Sequence, residues 1–157
     1  MAWTDVAGRL AILMLLVAVA VPSAYAEAQV DTGDTAWVLV SAAMVMIMTP
    51  ALGLFYGGMV RRKNVLSTIM LSFAVLALIS VQWVIYGYSL AFGPDIGGII
   101  GGLDWLGLAG VGQTPNADYA ATIPHLAFMI FQMMFAVITP ALITCAFVER
   151  AKFSSFL

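Results

Sequence analysis

The chain has 157 residues, of which 63% are hydrophobic and only 9% are charged, and its formal net charge at pH 7 is −2. Soluble domains carry about 25% charged residues, so this chain has too few polar groups to cover a water-exposed surface. The slightly acidic balance gives no indication of nucleic-acid binding, which requires a basic patch. We therefore predict a membrane protein whose main solvent is lipid.

The N-terminal 26 residues have the features of a signal peptide. Arg9 precedes an apolar run over residues 10–21, and the tripeptide Ala24-Tyr25-Ala26 follows. A run of about a dozen residues is short for a bilayer span of roughly 20, and the small residues fit a cleavage site. We predict that residues 1–26 are cleaved and that the mature chain, 27–157, begins outside the cytoplasm. The alternative is a retained first helix.

Three later segments are long enough and free enough of Asp, Glu, Lys and Arg to cross a bilayer. We predict spans at about 36–56, 65–92 and 123–148. Asp34 or Thr35 is the expected cap of the first span. The second is longer than a bilayer requires, which indicates a tilted or projecting helix.

The segments between the spans indicate the topology. Residues 93–122 are rich in glycine, lack helical periodicity and are predicted to form an ordered exterior loop. Toward the end of the second span, Trp83, Tyr86 and Tyr88 are typical of an interfacial aromatic belt.

Basic residues indicate which side of the membrane each loop occupies. Arg61, Arg62 and Lys63 follow the first span, and Arg150 and Lys152 follow the third. Lys and Arg favour the cytoplasmic side, so both loops are predicted to be cytoplasmic. This agrees with a mature N-terminus outside. The last residues resemble the entry to a fourth span.

A polar and aromatic stripe follows one face of the third span. At about 100° per residue, Gln132 and Thr139 lie within about 40° of His125, and Phe128 and Phe135 within about 80°. Phe131 lies about 40° beyond this arc. Two interpretations are open for Gln132: an interhelical hydrogen bond, or part of a substrate path in which aromatic faces attract a small cation. His125 is predicted to be an interfacial residue or a contact at the helix start.

The chain offers little for catalysis or for a cofactor. Cys145 is the only cysteine and His125 the only histidine, and no carboxylate lies within a predicted span. A catalytic triad or a two-histidine metal site cannot be assembled from these residues. We therefore predict a protein that is not an enzyme and has no cofactor.

Three motifs, in order, resemble the N-terminal part of the Amt-type ammonium transporters. They are "LFYGGMVRRKNVLS" at 54–67, "WVIYGYSLAFG" at 83–93, and "FQMMFA" at 131–136 followed by "FVERAKFS" at 147–154. The resemblance covers residues 34–157 and is weakest in the acidic loop. It implies an all-α polytopic membrane bundle of about eleven helices in two inverted halves, assembled as a homotrimer with a narrow pore in each protomer.

The resemblance also implies site residues. Phe135 matches the outer gate phenylalanine, Phe131 its neighbour on the vestibule side, and Gln132 the glutamine beside them. In the family, ammonium is recruited by aromatic contacts, passes the gate and is deprotonated, and twin histidines then handle the conducted species. The interpretation of Gln132 thus moves toward a pore-proximal support of the gate.

The same resemblance implies what this chain lacks. The family's twin histidines, vestibule tryptophan and serine, and deprotonation-site aspartate lie beyond residue 157, and His125 is not one of the twin pair. The chain is expected to be an N-terminal fragment with about three helices and the start of a fourth. The alternatives are an ammonium sensor of the same fold, an Rh-type gas channel and a nonconducting scaffold; docking of a cytoplasmic PII-type regulator stays open.

Overall fold

The computed structural model describes residues 29–151 and residue 155. The predicted signal peptide (1–26) lies outside these residues, as does most of the predicted start of a fourth span.

Three apolar helices form the structure: Thr32–Met59, Arg62–Phe92 and His125–Ala146, which we call the first, second and third spans. Each is long and apolar enough to cross a membrane, and each packs against the other two. The second begins with the 3-10 turn Arg62–Asn64, and the third ends with the 3-10 turn Thr144–Ala146. The predicted all-α polytopic bundle is confirmed for these elements.

The first span begins earlier than the sequence pattern indicated. The Asp31 carboxylate accepts a hydrogen bond of 2.7 Å from the Asp34 backbone N–H, so Asp31 caps the helix. A short acceptor side chain at this position pairs with one of the free N–H groups of the first turn. The prediction of Asp34 or Thr35 as the cap was wrong, and both residues lie inside the helix.

The second span changes helix type near its end. An α-helix over Val65–Gln82 is followed by a π-helical turn, Trp83–Gly87, and a last α-helical turn, Tyr88–Phe92. A π turn holds an extra residue, so residues beyond it are rotated by about 100° relative to an uninterrupted α-helix. Tyr88 and Ser89 are buried there, at 0% and 1% exposure. The predicted interfacial belt is therefore wrong for Tyr88.

The segment between the second and third spans contains two small antiparallel hairpins. Strand β1 (Asp95–Ile96) pairs with β2 (Ile100–Gly101), and β3 (Pro115–Asn116) pairs with β4 (Ala120–Pro124). The tip of the first hairpin contains Gly97 and Gly98, whose φ angles of 68° and 74° favour glycine. We call the end of the bundle that carries this segment the loop end.

Hydrogen bonds and close packing hold the loop segment on the spans. The Ser89 hydroxyl donates to the Gly102 carbonyl at 2.7 Å and accepts from the Trp105 N–H at 3.0 Å. A Cβ atom on Gly101 would lie 2.6 Å from the Ser89 carbonyl oxygen, so glycine permits this approach. The Asp31 N–H donates to the Thr122 carbonyl at 2.8 Å, which ties β4 to the start of the first span.

The opposite end of the bundle, which we call the basic end, brings two connecting segments together. One Glu149 carboxylate oxygen accepts from the Arg61 backbone N–H at 2.9 Å and from the Asn64 amide at 2.7 Å. The same oxygen lies 3.4 Å from the Arg61 Nε. The basic segments that follow the first and third spans therefore lie at the same end, as the topology argument requires.

Candidate functional site

The two phenylalanines of the "FQMMFA" motif form a pair on the third span. The rings of Phe131 and Phe135 are 5.1 Å apart between centroids and meet edge to face at 76°. Residues four apart in a helix are neighbours on its surface, and this geometry directs the positive edge of one ring at the negative face of the other. Phe131 is half-buried and Phe135 is 44% exposed.

Toward its C-terminal end, the third span packs through a face centred roughly 90° from this pair on the helical wheel. Met134, Val137, Ile138 and Ala141 are all buried, and their spacing is that of one side of a helix. That side lies about 100° or more from Gln132 on the helical wheel. In this part of the helix the predicted stripe is therefore turned away from the packing face, whereas at the start of the helix its first member, His125, is buried at 4% exposure.

The polar members of the stripe differ in their contacts. Gln132 is half-buried, and its amide forms no hydrogen bond with other residues in the part of the chain that the structure describes. The Thr139 hydroxyl donates to the Phe135 carbonyl at 2.8 Å, a bond to the preceding turn that satisfies this donor within its own helix.

His125 belongs to a second group of rings, which we call the aromatic cluster, at the loop end. Its Nε2 lies 2.6 Å from the Tyr88 hydroxyl, and its ring meets Trp105 edge-on at 4.8 Å. Tyr88 in turn stacks on Trp105 at 5.6 Å. The members of the cluster are Trp83, Tyr88, Phe92, Trp105, Tyr119, His125 and Phe128.

Sequence reasoning did not find the Tyr88–His125 pair. It predicted that His125 lies at the interface or makes a contact at the helix start, but it named no partner for this contact. It placed Tyr88 in the interfacial aromatic belt. One signal was present: both residues lie at the loop ends of their predicted spans, where a phenol and an imidazole of neighbouring helices can meet. The π turn that directs Tyr88 inward has no such signal, because a helical wheel assumes regular turns.

The described residues provide no metal site. Within residues 29–151 and residue 155, no three His, Cys, Asp or Glu side chains are grouped so that they could hold a metal ion. The chemistry available on the third span is that of aromatic faces beside one amide.

Three packed apolar spans with an ordered loop segment define a polytopic helical membrane protein. The sequence model of the Ammonium Transporter Family matches residues 36–157. The chain belongs to this family, and the resemblance carried by the three motifs is confirmed.

Similar proteins support the assignment to this family. The chain is 57% identical over 125 residues to an ammonium transporter of Bacillus subtilis (strain 168), an alignment that covers 80% of this chain and 30% of that protein. It is 50% identical over 125 residues to the ammonium transporter Amt1 of Archaeoglobus fulgidus, covering 80% of this chain and 29% of that protein. These relatives are named as transporters and not as enzymes.

A solved structure shows the same arrangement of helices. The crystal structure of Saccharomyces cerevisiae Mep2 matches with a TM-score of 0.72 and 35% identity, over 82% of this chain and 30% of that chain. The present chain therefore spans about 30% of the length of the proteins that it matches.

Proposed function

We propose that the protein to which this chain contributes transports ammonium across a cell membrane. The observation that carries this proposal is the 57% identity to a Bacillus subtilis protein named as an ammonium transporter. The three apolar spans support it, because each is long and apolar enough to cross a membrane. The names of the relatives favour transport over the sensor and the Rh-type gas channel.

At the level of residues, we propose that Phe131 and Phe135 border a narrow path for the substrate. Phe135 is 44% exposed and Phe131 is half-buried, so part of each ring is accessible to a permeating cation. An aromatic face attracts ammonium through its quadrupole, and this attraction grows as water is removed. Phe135 then acts as the outer gate and Phe131 as its vestibule-side neighbour, and Gln132 supports them from the same face.

The assembly and partners that we propose follow the family resemblance. They are a homotrimer with one pore per protomer, a mature N-terminus outside the cell, and a basic end in the cytoplasm. That end is where a PII-type regulator would have access. The substrate is ammonium, which crosses as the cation or as ammonia with or without a separate proton.

The test is transport by a full-length protein that contains this chain, reconstituted in liposomes. An ammonium gradient should evoke a current if net charge crosses. If no current appears, a dye inside the liposomes should report an alkaline change as ammonia enters and takes up protons. Wild-type protein that gives neither signal would contradict transport.

Phe135→Ala tests the gate in the same assay. Loss of the ring should raise the half-saturating ammonium concentration about tenfold, the factor expected when a desolvated cation–π contact of ~1–2 kcal/mol is removed. Initial rates over a series of ammonium concentrations measure this value.

Two further variants make the result specific. Phe73→Ala removes a ring of the second span with a similar exposure of 49% and should leave transport unchanged. Gln132→Leu should raise the half-saturating concentration by a smaller factor than Phe135→Ala, because an amide that supports the rings acts through them. Normal transport by Phe135→Ala would remove Phe135 from the gate.

A further inference from the structure

The Tyr88–His125 contact differs from the other hydrogen bonds of the structure. Within the described part of the chain, it is the only buried hydrogen bond between two side chains. It joins the second span to the first residue of the third span across 2.6 Å. Tyr88 donates when the imidazole proton is on Nδ1, and His125 donates when it is on Nε2. Both arrangements hold the same two atoms together.

The Tyr88 side of the contact is rigidly held. The ring is 0% exposed and is packed between Trp105 at 5.6 Å and Phe92 at 5.3 Å. Its direction is set by the π turn that ends at Gly87. The loop segment is fixed over it, because Ser89 bonds to Gly102 and to Trp105. The Tyr88 hydroxyl therefore has little freedom to move.

The His125 side is the start of the third span, which follows directly on β4. The preceding residue, Pro124, provides no side-chain cap. Pro124 is paired with Pro115 in the β3–β4 hairpin, and the Leu126 N–H donates to the Gly112 carbonyl at 3.0 Å. His125 is 4% exposed and held edge-on against Trp105. The His125 imidazole thus connects the Tyr88 hydroxyl to the start of the third span.

We propose that Tyr88 and His125 are positioning residues, whose hydrogen bond sets the rotation of the third span and so the orientation of the Phe131–Phe135 pair. The pair begins six residues after His125, less than two helical turns away. A rotation of about 10° about the helix axis moves a group about 5–6 Å from that axis by about 1 Å. A shift of this size is enough to impair a site that depends on alignment. This proposal rests on the proposed function.

The first test is Tyr88→Phe in the full-length protein, assayed in liposomes with amounts of folded protein matched by size-exclusion chromatography. The substitution removes one oxygen atom and keeps the ring. We expect the half-saturating ammonium concentration to rise about fivefold, as when a cation–π contact at a partly exposed ring is weakened. The maximal rate per folded protein should change less than this concentration does.

Tyr119→Phe is the matched control. Its hydroxyl, in the same aromatic cluster, donates to the Phe92 carbonyl at 2.8 Å. This bond ties the loop segment to the second span and not to the third. The half-saturating concentration should therefore stay at the wild-type value. An equal rise in both tyrosine variants would contradict the proposal, since it would indicate a general loosening of the loop end.

Changes at His125 separate positioning from a general loss of structure. His125→Leu removes the partner, whereas His125→Gln keeps a polar group that can meet the Tyr88 hydroxyl. We expect the leucine variant to behave like Tyr88→Phe and the glutamine variant to recover most of the wild-type affinity. The glutamine variant also keeps the test valid if His125→Leu does not fold.

The double variant tests whether Tyr88 and His125 act through the same hydrogen bond. If the two residues act through one bond, Tyr88→Phe combined with His125→Leu should be no worse than the more impaired single variant. Independent effects that multiply would overturn the proposal, as would unchanged half-saturation in Tyr88→Phe with wild-type transport intact. Wild-type protein without any transport signal would instead contradict the proposed function.

Discussion

Glu149 combines an unusual backbone conformation with the main polar contact of the basic end. Its φ angle is 68°, in the left-handed region that residues with a Cβ rarely adopt. This conformation directs the carboxylate at the Asn64 amide and the Arg61 N–H, at 2.7 and 2.9 Å. These hydrogen bonds, with that from Asn64 the largest cause, hold the pKa of Glu149 below its ordinary value of 4.5. The contact links the segments that follow the first and third spans.

A lowered pKa predicts a pH dependence of stability. Because the folded protein favours the ionised carboxylate, its contribution to stability is present above the ordinary pKa and is lost as the pH falls through the lowered pKa of the folded state. Glu149→Gln should therefore lower the thermal unfolding midpoint slightly at neutral pH, and the difference from wild type should shrink as the pH falls below 4.5 and vanish below the lowered pKa of the folded protein.

The measurement is thermal unfolding of the full-length protein in detergent at several pH values. Asp118→Asn removes a carboxylate that forms no hydrogen bond in the described part of the chain, and it should leave the midpoint unchanged. A difference between Glu149→Gln and wild type that grows as the pH falls would contradict the assigned sign.

The spans could be predicted from sequence because lipid imposes their length and excludes charge. The cap of the first span could not, because Asp31 and Asp34 are chemically equivalent candidates. The choice of Asp31 depends on β4, whose Thr122 carbonyl accepts the Asp31 N–H. The π turn likewise packs against the loop segment, at Leu106–Leu108. Such features arise from tertiary packing and leave no period in the sequence.

The candidate site could also be predicted only in part from the sequence. The proximity of Phe131 and Phe135 follows from their spacing of four residues in a helix. The side of the third span that packs could not be read from the wheel, because that side carries apolar residues such as Met134 and Val137 beside equally apolar neighbours. The neighbouring helices decide which apolar face is buried.

The first and second spans approach each other closely at a glycine. A Cβ atom on Gly53 would lie 2.9 Å from the Ser72 Oγ and 3.0 Å from its Cβ. Gly53→Ala should therefore destabilise the protein, because overpacking of about 1–3 kcal/mol outweighs a gain in helix propensity of about 1 kcal/mol. The thermal unfolding midpoint of the full-length protein measures this effect.

Gly58 supplies the comparison on the same helix. A Cβ atom there would have no neighbour within 4 Å, so Gly58→Ala gains helix propensity without a clash. Its midpoint should equal or exceed that of wild type. If Gly53→Ala proved as stable as Gly58→Ala, close contact would not be the reason for glycine at position 53.

The two ends of the bundle differ in chemistry, and this difference suggests an orientation. The basic end carries Arg61, Arg62, Lys63 and Arg150, whereas the loop end carries Asp95, Asp104 and Asp118. Between them, large apolar side chains face outward, as for Trp37 at 74% and Leu66 at 73% exposure. Such an apolar belt is suited to lipid or to neighbouring helices. The positive-inside rule then favours a cytoplasmic basic end.

Cysteine labelling tests this orientation. In a cysteine-free full-length protein with Cys145→Ala, Gly98→Cys should react with a membrane-impermeant maleimide on intact cells. Ala151→Cys should react only after permeabilisation, and it alters no basic residue. Both positions are exposed, so access to the reagent depends on the side of the membrane. The reverse pattern would overturn the proposed orientation.

The hairpin at Gly97 and Gly98 has a practical consequence. A Cβ atom on either residue would meet nothing within 4 Å, and Ile99 beside them is 91% exposed. The contacts that hold the loop segment on the spans lie elsewhere, at Ser89, Gly102 and Trp105. A short epitope tag inserted between the two glycines would therefore project into open space. In the proposed orientation, antibodies against it could count folded copies of the protein on living cells without disturbing the spans beneath.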